Sequence, residues 1–419
     1  MKNFNEFILA LEKLISFKSV KEPIKKDMPF GEGVYGAYKY FIDLAKSFGF
    51  ETINYDNYVG EIIFGEGEEI GIIGHVDVVP AGTGWNTPPY TLTKVGNTYY
   101  GRGLADDKAP LLLCLFILKE LKESNQLVNK KFRLIVGCDE ESGWGDIAYF
   151  NKVAKFPEYG FSPDGNFPVS YAEKGIAYLT FKLPKLKNFF SVKGGTVLNA
   201  VCGLASAETL LKEVKISNKR VSLNGSTLES VGKSCHGSCP QNGINAIKLL
   251  FETFLDNGED VKNVLDCLFY DREKLFEINT EQGNVTFSPN VIEEKEDGIY
   301  LYCDCRFPYP ITEKDLTEKL NLFNIPYELV IKHDTQYVNK DGEFVKTLLN
   351  SYNEVMGESA SPIAQGGSTF ARAFNKGVAF GPEFVGVPST IHQPNECLTE
   401  EELLKLYNIY KTAIFNLAK

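Results

Sequence analysis

No stretch of this sequence is long and apolar enough to cross a bilayer, which excludes a helical membrane span. No run of lysine and arginine is present either. Lys and Arg total 44 against 55 Asp and Glu, a formal net charge of -11, which argues against nucleic acid and anionic membrane as partners. One local arginine still suffices to hold an anionic small molecule. The opening MKNFNEFILALEKLISF lacks the uninterrupted apolar segment of a secretion signal, because Glu6 and Glu12 break it. Phe4, Phe7, Ile8, Leu11, Leu14 and Ile15 fit one face of a helix instead. The nine cysteines are odd in number and scattered, so reduced thiols in the cytoplasm are expected. Cys303/Cys305 and Cys235/Cys239 have no second matching pair, and are expected to be small buried hydrophobes rather than a structural zinc site. Internal repeats, low-complexity tracts and Pro/Gly/Ser-rich linkers are also missing, so no composition change marks a domain boundary.

What is present is an ordinary globular mix, 43% hydrophobic and 24% charged, in 419 residues, enough for one large or two ordinary domains. Residues 1–175 alternate helix patterns (3–16, 33–48, 109–123, 143–154) with short apolar strand runs (60–64, 70–74, 132–137, 169–173). Continuous apolar runs suit strands covered on both faces, the α/β arrangement. From about 176 the texture changes. Strand-like AYLTFKL, YLYCDCRF and a strand near 284–290 mix with helical runs at 200–215, 243–255 and 312–321. Helical patterns return at 342–356 and 398–416. This organisation predicts an α/β domain built from 1–175 and 336–419, with an α+β domain of residues 176–335 inserted into it.

Only four histidines occur, so the context of each is informative. His75 ends an apolar run in EIGIIGHVDVVPAG, with Asp77 close behind. Ligands of open α/β sheets bind at the carboxyl ends of strands, and a nearby carboxylate can fix the tautomer of a metal-binding imidazole. GRGLADDKAP sets Asp106 and Asp107 before an apolar helix. A helix N-terminus welcomes one acid, but a pair asks for more. IVGCDEESGWGD crowds Asp139, Glu140 and Glu141 after another apolar strand, where like charges repel and burial is costly. Asp164 lies in the Pro-Asp-Gly turn of YGFSPDGNFP, and His392 precedes a proline in VGVPSTIHQPNE. Each has an ordinary explanation as a solvated loop or turn residue. Gathered at one sheet edge, two histidines and several carboxylates suit a two-metal hydrolytic site.

GHVDVVPAG, GRGLADDK, DEESGW, FSPDGNFPV, HGSCPQNGINA, DCRFPYP and GPEFVGVPSTIHQPNE together resemble the di-zinc metallopeptidase family of carboxypeptidase G, carnosinase and succinyl-diaminopimelate desuccinylase, in particular its dipeptidase V branch. The resemblance runs from about residue 70 to 397. It implies a zinc-exopeptidase-type catalytic domain, a mixed sheet flanked by helices, carrying an inserted α+β lid domain. It implies two Zn2+ per chain, with Co2+ or Mn2+ as substitutes. His75 and Asp164 would hold one ion, Glu141 and His392 the other, and Asp106 would bridge them through a cis peptide to Asp107. Glu140 would be the general base and Asp77 would orient His75, while Glu140 and Glu141 point apart on an extended segment. From the inserted domain, His236 and Asn199 would serve the oxyanion, and Arg306 would clamp the substrate carboxylate as a fork. Asn199 as a helix N-cap and Arg306 as the partner of Asp304 are the plainer readings. Gly366, Gly367, Ser368 and Thr369 resemble a loop that donates to that carboxylate. Asp139 has no assigned role, and His333 is read as structural.

Departures from the family pattern are Ala109 in DDKAP, Cys202 in NAVC, and GGSTFAR; none removes a proposed ligand or the base. The inserted domain is short for dipeptidase V, which leaves monomer and homodimer both open. The expected activity is hydrolysis of small unblocked dipeptides. An N-acyl amino acid deacylase or desuccinylase would use the same catalytic motif, and a non-catalytic peptide binder would have lost the base or a ligand.

Overall fold

The computed structural model describes residues 3–124 and 126–419. By its internal contacts the chain forms two compact units. The first comprises Met1–Tyr171, Val338–Ile363 and Thr369–Lys419; the second comprises Ala172–Tyr337 and Ala364–Ser368.

The sheet of the first unit runs in the order Glu51–Tyr55, Val59–Phe64, Lys130–Gly137, Glu68–His75, Tyr159–Ser162, Lys376–Ala379. Its first two strands form an antiparallel hairpin, and Val59–Phe64 is antiparallel to Lys130–Gly137. Glu68–His75, Lys130–Gly137, Tyr159–Ser162 and Lys376–Ala379 are mutually parallel. The last six residues of Glu68–His75 and of Lys130–Gly137 are buried, as strands covered on both faces require. On one face Ile73 and Ile135 pack with Val59, Ile147, Phe150, Phe370 and Phe374. The register sets His75 opposite Gly137, so these parallel strands deliver their following loops to one edge.

Helix Ala109–Glu123 has no exposed stripe over its first ten residues, all of them buried. It packs against Glu400–Leu417, which opens with a capping box between Thr399 and Glu402. Leu115 is wholly buried in this helix. Leu115→Ala is expected to cost about 2–5 kcal/mol, the range for a buried leucine that leaves a cavity, read as a lower urea midpoint at unchanged slope.

The second unit is an eight-stranded, wholly antiparallel sheet: Val221–Asn224, Thr227–Val231, Leu204–Thr209, Phe189–Gly194, Thr286–Lys295, Gly298–Phe307, Gly175–Leu183, Tyr327–His333. Helices Ala246–Asp256, Lys262–Leu268 and Glu313–Asn321 contribute Leu250, Phe254, Leu265, Leu316 and Leu320 to its core.

Two expectations are corrected here. Residues 200–215 form no helix; they hold strand Leu204–Thr209, in which Ala205, Ala207 and Thr209 are buried at every second position. Small residues in ASAET gave an ambiguous period, and the neighbouring strands decided it. Among the cysteines, Cys303 and Cys305 are buried, but Cys235 is only partly buried and Cys239 is exposed, because their segment is a surface turn rather than a strand.

Candidate active site

At the carboxyl edge of the parallel strands, the first unit brings His75, Asp77, Asp106, Glu140, Glu141, Asp164 and His392 together. His75 ends its strand with no exposed surface. Its Nε2 lies 2.9 Å from Asp106 Oδ1 and 3.7 Å from Asp164 Oδ2. Its Nδ1 lies 3.3 Å from Asp77 Oδ1 and 3.0 Å from the Asp77 carbonyl. His392 Nε2 lies 2.9 Å from Asp106 Oδ2 and 3.0 Å from Glu141 Oε2. Asp106 therefore turns one oxygen to each imidazole. The Asp106–Asp107 peptide is cis. His392 sits at φ 62°, a left-handed conformation sparsely used outside glycine, and such residues concentrate at functional sites.

The acidic triplet forms a turn, not the extended segment expected from sequence, closed by Trp144 N–H on Asp139 O at 2.9 Å. Asp77 holds this turn. Its Oδ1 accepts from Glu140 N at 3.2 Å and its Oδ2 from Glu141 N at 3.1 Å. One buried carboxylate thus faces the His75 ring and fixes the backbone of both glutamates. Asp139 points away from the cluster. It takes Lys21 Nζ at 2.7 Å, Ser142 Oγ at 2.5 Å and Gly145 N at 2.9 Å, so it braces the turn. Asp146, which the sequence reading passed over, is fully buried and accepts from Cys138 N at 2.6 Å and Asp139 N at 2.9 Å. Its only sequence signal is its place at the end of DEESGWGD.

The electrostatics follow from crowding. Burial, then Asp164, raises the Glu140 carboxyl well above its ordinary value. Burial and Asp106 push Glu141 up to about 7, and burial followed by Asp106 also raises Asp164. Burial opposes charge on His392, yet Asp106 and Glu141 hold its imidazole up to about 11. Burial opposes charge on His75 too, but Asp106, Asp164 and Asp77 raise it. Asp106 is lowered instead: burial works against it, and His392 and His75 overcome that. Asp107 Oδ2 accepts from the His75 backbone N–H at 3.2 Å, while its Oδ1 is a buried oxygen with no hydrogen-bond partner.

A divalent cation relieves the repulsion that raises these carboxyls, and imidazole nitrogen with carboxylate oxygen is a ligand set that zinc, cobalt and manganese accept. His75, Asp106 and Glu141 place ligand atoms within 4.8 Å of one another, as do His75, Glu140 and Asp164. The cluster therefore fits a metal centre.

The second unit gathers its own polar groups. Ala200 pairs with His236, and Gly237 N donates to Asn199 O at 2.7 Å. Asn199 caps no helix, since none follows it. His236 Nδ1 lies 2.6 Å from Ser238 Oγ. Arg306 spends its Nε and Nη2 on Asp304 at 2.7 and 2.8 Å, both residues being buried. That edge of the guanidinium is committed to Asp304, the plainer reading of the sequence. A Cβ on Gly237 would stand 2.7 Å from Asp304 Oδ2, and one on Gly366 would stand 2.9 Å from Ser238 Cβ. Asn199, His236, Asp304–Arg306 and Gly366 thus surround one turn. Gly367 and Ser368 follow in the same unit, with Ser368 Oγ buried and unpartnered. Thr369 lies in the first unit, where its Oγ1 accepts from Ala371 N at 3.2 Å. His333 ends an edge strand opposite Ile176.

Residues 71–416 match the family described as Peptidase family M20/M25/M40. The chain belongs to that family. Bacillus subtilis (strain 168) has a relative named "Putative dipeptidase YtjP", 34% identical over 93% of this chain and 92% of that protein. A "Putative dipeptidase" of Staphylococcus epidermidis is 33% identical over 99% of this chain and 97% of its own. The fold of this peptidase is also that of solved members. A tripeptidase from Staphylococcus aureus superposes with TM-score 0.63 at 16% identity over 99% of both chains. Human carnosine dipeptidase 1 gives 0.59 at 16% identity, covering 99% of this chain and 96% of that one. Within this metallopeptidase fold, a mixed sheet flanked by helices carries the cluster, and no helix among the described residues is long and apolar enough to cross a membrane.

Proposed function

We propose that the chain is a metal-dependent dipeptidase that hydrolyses the peptide bond of small unblocked dipeptides. One observation carries the reading: Asp106 turns one carboxylate oxygen to His75 and the other to His392, amid carboxyls raised by crowding. In this reading His75 and Asp164 would hold one ion, Glu141 and His392 the other, and Asp106 would serve both. The ions would be two Zn2+, with Co2+ or Mn2+ as substitutes. Bound divalent ions supply Lewis-acid polarisation of the scissile carbonyl and a water acidified towards neutrality.

The remaining work falls to the chain's own groups. Glu140 is not among the assigned ligands, and its raised affinity for a proton suits a base that takes one from water and passes it to the leaving amine. Asp77 keeps that base in place through the Glu140 and Glu141 N–H groups and faces the His75 ring. His236 and Asn199 serve the developing oxyanion, a role for which one donor is worth about 3–4 kcal/mol. Arg306, with Gly366, Gly367, Ser368 and Thr369, receives the substrate carboxylate. Because Asp304 occupies the Nε/Nη2 edge of Arg306, the fork offered to the substrate carboxylate is the remaining Nη1/Nη2 end of the guanidinium.

A side-by-side assay tests the substrate class with unblocked dipeptides, N-acetylornithine and N-succinyl-diaminopimelate. Dipeptide cleavage is expected to dominate in kcat/KM by at least tenfold. Faster deacylation would overturn the dipeptidase reading while leaving the metal centre standing.

A further inference from the structure

Glu396 belongs to the motif IHQPNE, four residues after His392, and has no exposed surface. Its place is fixed by a short pairing of Cys397–Thr399 with Thr98–Tyr100, in which Cys397 lies opposite Tyr100. The pairing continues one residue further, with Gly101 N donating to Glu396 O at 3.1 Å. This register aims the Glu396 side chain at the turn that presents Asp106.

There the carboxylate receives four donors. Oε2 accepts from Arg102 Nη1 at 2.7 Å and from Gly103 N at 3.1 Å. Oε1 accepts from Ala105 N at 2.8 Å and from Asp106 N at 3.3 Å. Three of the four are backbone groups of the segment that ends in Asp106. A buried ion pair kept only for stability would need its arginine and little else, and such pairs are often replaceable by apolar residues. Here an apolar replacement would strand three buried N–H groups beside the proposed ligand. Placing a further buried acid near Asp106 also works against burial and the Asp106 charge, with Arg102 as the offset.

We propose that Glu396 is a positioning residue for the metal centre: its carboxylate clamps the Arg102–Asp106 turn to the segment bearing His392, and so sets the placement of Asp106 against His392. The inference rests on the reading of Asp106 and His392 as metal ligands. Groups that orient ligands from behind typically govern metal affinity by about 10–100-fold. Glu396→Gln is the sharp variant. Its amide NH2 must face N–H donors on one side of the clamp, whereas Glu396→Asp keeps the charge but is one methylene short of the four-donor position.

The test is a Co2+ titration of chelator-treated wild type, E396Q and E396D, followed by visible absorption and by metal analysis after equilibrium dialysis. Circular dichroism and Tm of the metal-free proteins are measured alongside. E396Q is expected to bind Co2+ at least tenfold more weakly than wild type and with an altered visible spectrum. E396D is expected to fall between them. Should E396Q be recovered only unfolded, E396D decides: weaker Co2+ binding than wild type with an altered spectrum supports the inference, and unchanged affinity and spectrum overturn it. A lower Tm in the variants with unchanged Co2+ affinity and spectrum would mean a merely structural role and overturn the inference. Wild type that takes up no Co2+ overturns the metal-centre reading and this inference with it. Wild type that binds Co2+ beside unaffected variants overturns this inference alone.

Discussion

Glu140→Ala is expected to keep its metal and lose turnover, whereas Glu141→Ala is expected to lose metal as well. The two residues are adjacent and similarly buried in the crowded cluster, and both N–H groups rest on Asp77. They differ in what their carboxylates face. Glu141 lies 3.0 Å from His392 Nε2, its partner in the proposed ligand set. Glu140 is raised chiefly by burial and by Asp164, as suits a group that shuttles a proton. Removing a general base slows the chemical step by about 10²–10⁴-fold, so kcat of Glu140→Ala should fall within that range with KM little changed. Metal content by plasma emission and dipeptide hydrolysis, measured on the same preparations, give the answer. Intact turnover in Glu140→Ala, or full metal occupancy in Glu141→Ala, would assign the roles wrongly.

Stripping the metal is expected to make stability fall as pH rises from 5 to 8. Glu141 and Asp146 are raised by burial to about 7 in the fold, from ordinary values near 4.5 and 3.8. The folded state therefore holds protons that the unfolded chain has released. That contribution is fully present below the unfolded values and is lost as pH climbs through about 7. His392 adds the same sign: raised from 6.5 to about 11, it stabilises below 6.5 and loses that effect above. Asp106 is lowered, so its opposite effect is confined to pH below its ordinary 3.8. Each proton difference is worth about 1.4 kcal/mol per pH unit. Metal ions need the carboxylates deprotonated and the imidazoles neutral, so their binding strengthens over the same interval. The gap in Tm between Zn2+-loaded and chelated protein should widen from pH 5 to pH 8 in scanning calorimetry. A gap that stays constant, or a chelated form that gains stability with pH, would contradict this account of the cluster.

Much of the cluster was legible because each of its members follows a sequence signal with a short physical range. His75 and the acidic triplet come straight after apolar runs, and parallel strands in register carry whatever follows them to one edge. The helical patterns at 109–123 and 398–416 were similarly plain, and helices Ala109–Glu123 and Glu400–Leu417 stand there. Residues 200–215 were not, since alanine and serine suit either period and only the strands on each side, Phe189–Gly194 and Thr227–Val231, decide the matter. The acidic turn was misjudged as extended: Trp144 closes it locally on Asp139 O, and the Glu140 and Glu141 N–H groups find their acceptor in Asp77, more than sixty residues earlier in the chain.

By itself, then, the sequence determined the types of element outside 200–215 and the acidic turn, the strand-end placement of the acids and histidines, and a family resemblance. Periodicity and local turn chemistry act over a few residues and are written in order along the chain. Only the tertiary structure decided which carboxylates act on which partners. Asp139 turned to Lys21, Asp146 to the Cys138–Asp139 backbone, Arg306 to Asp304, and Glu396 to the turn before Asp106. Two of these contacts, Asp139 with Lys21 and Glu396 with Ala105, join segments more than a hundred residues apart. Their geometry follows from strand register and close packing, in which a shift of one residue would turn each side chain to the opposite face.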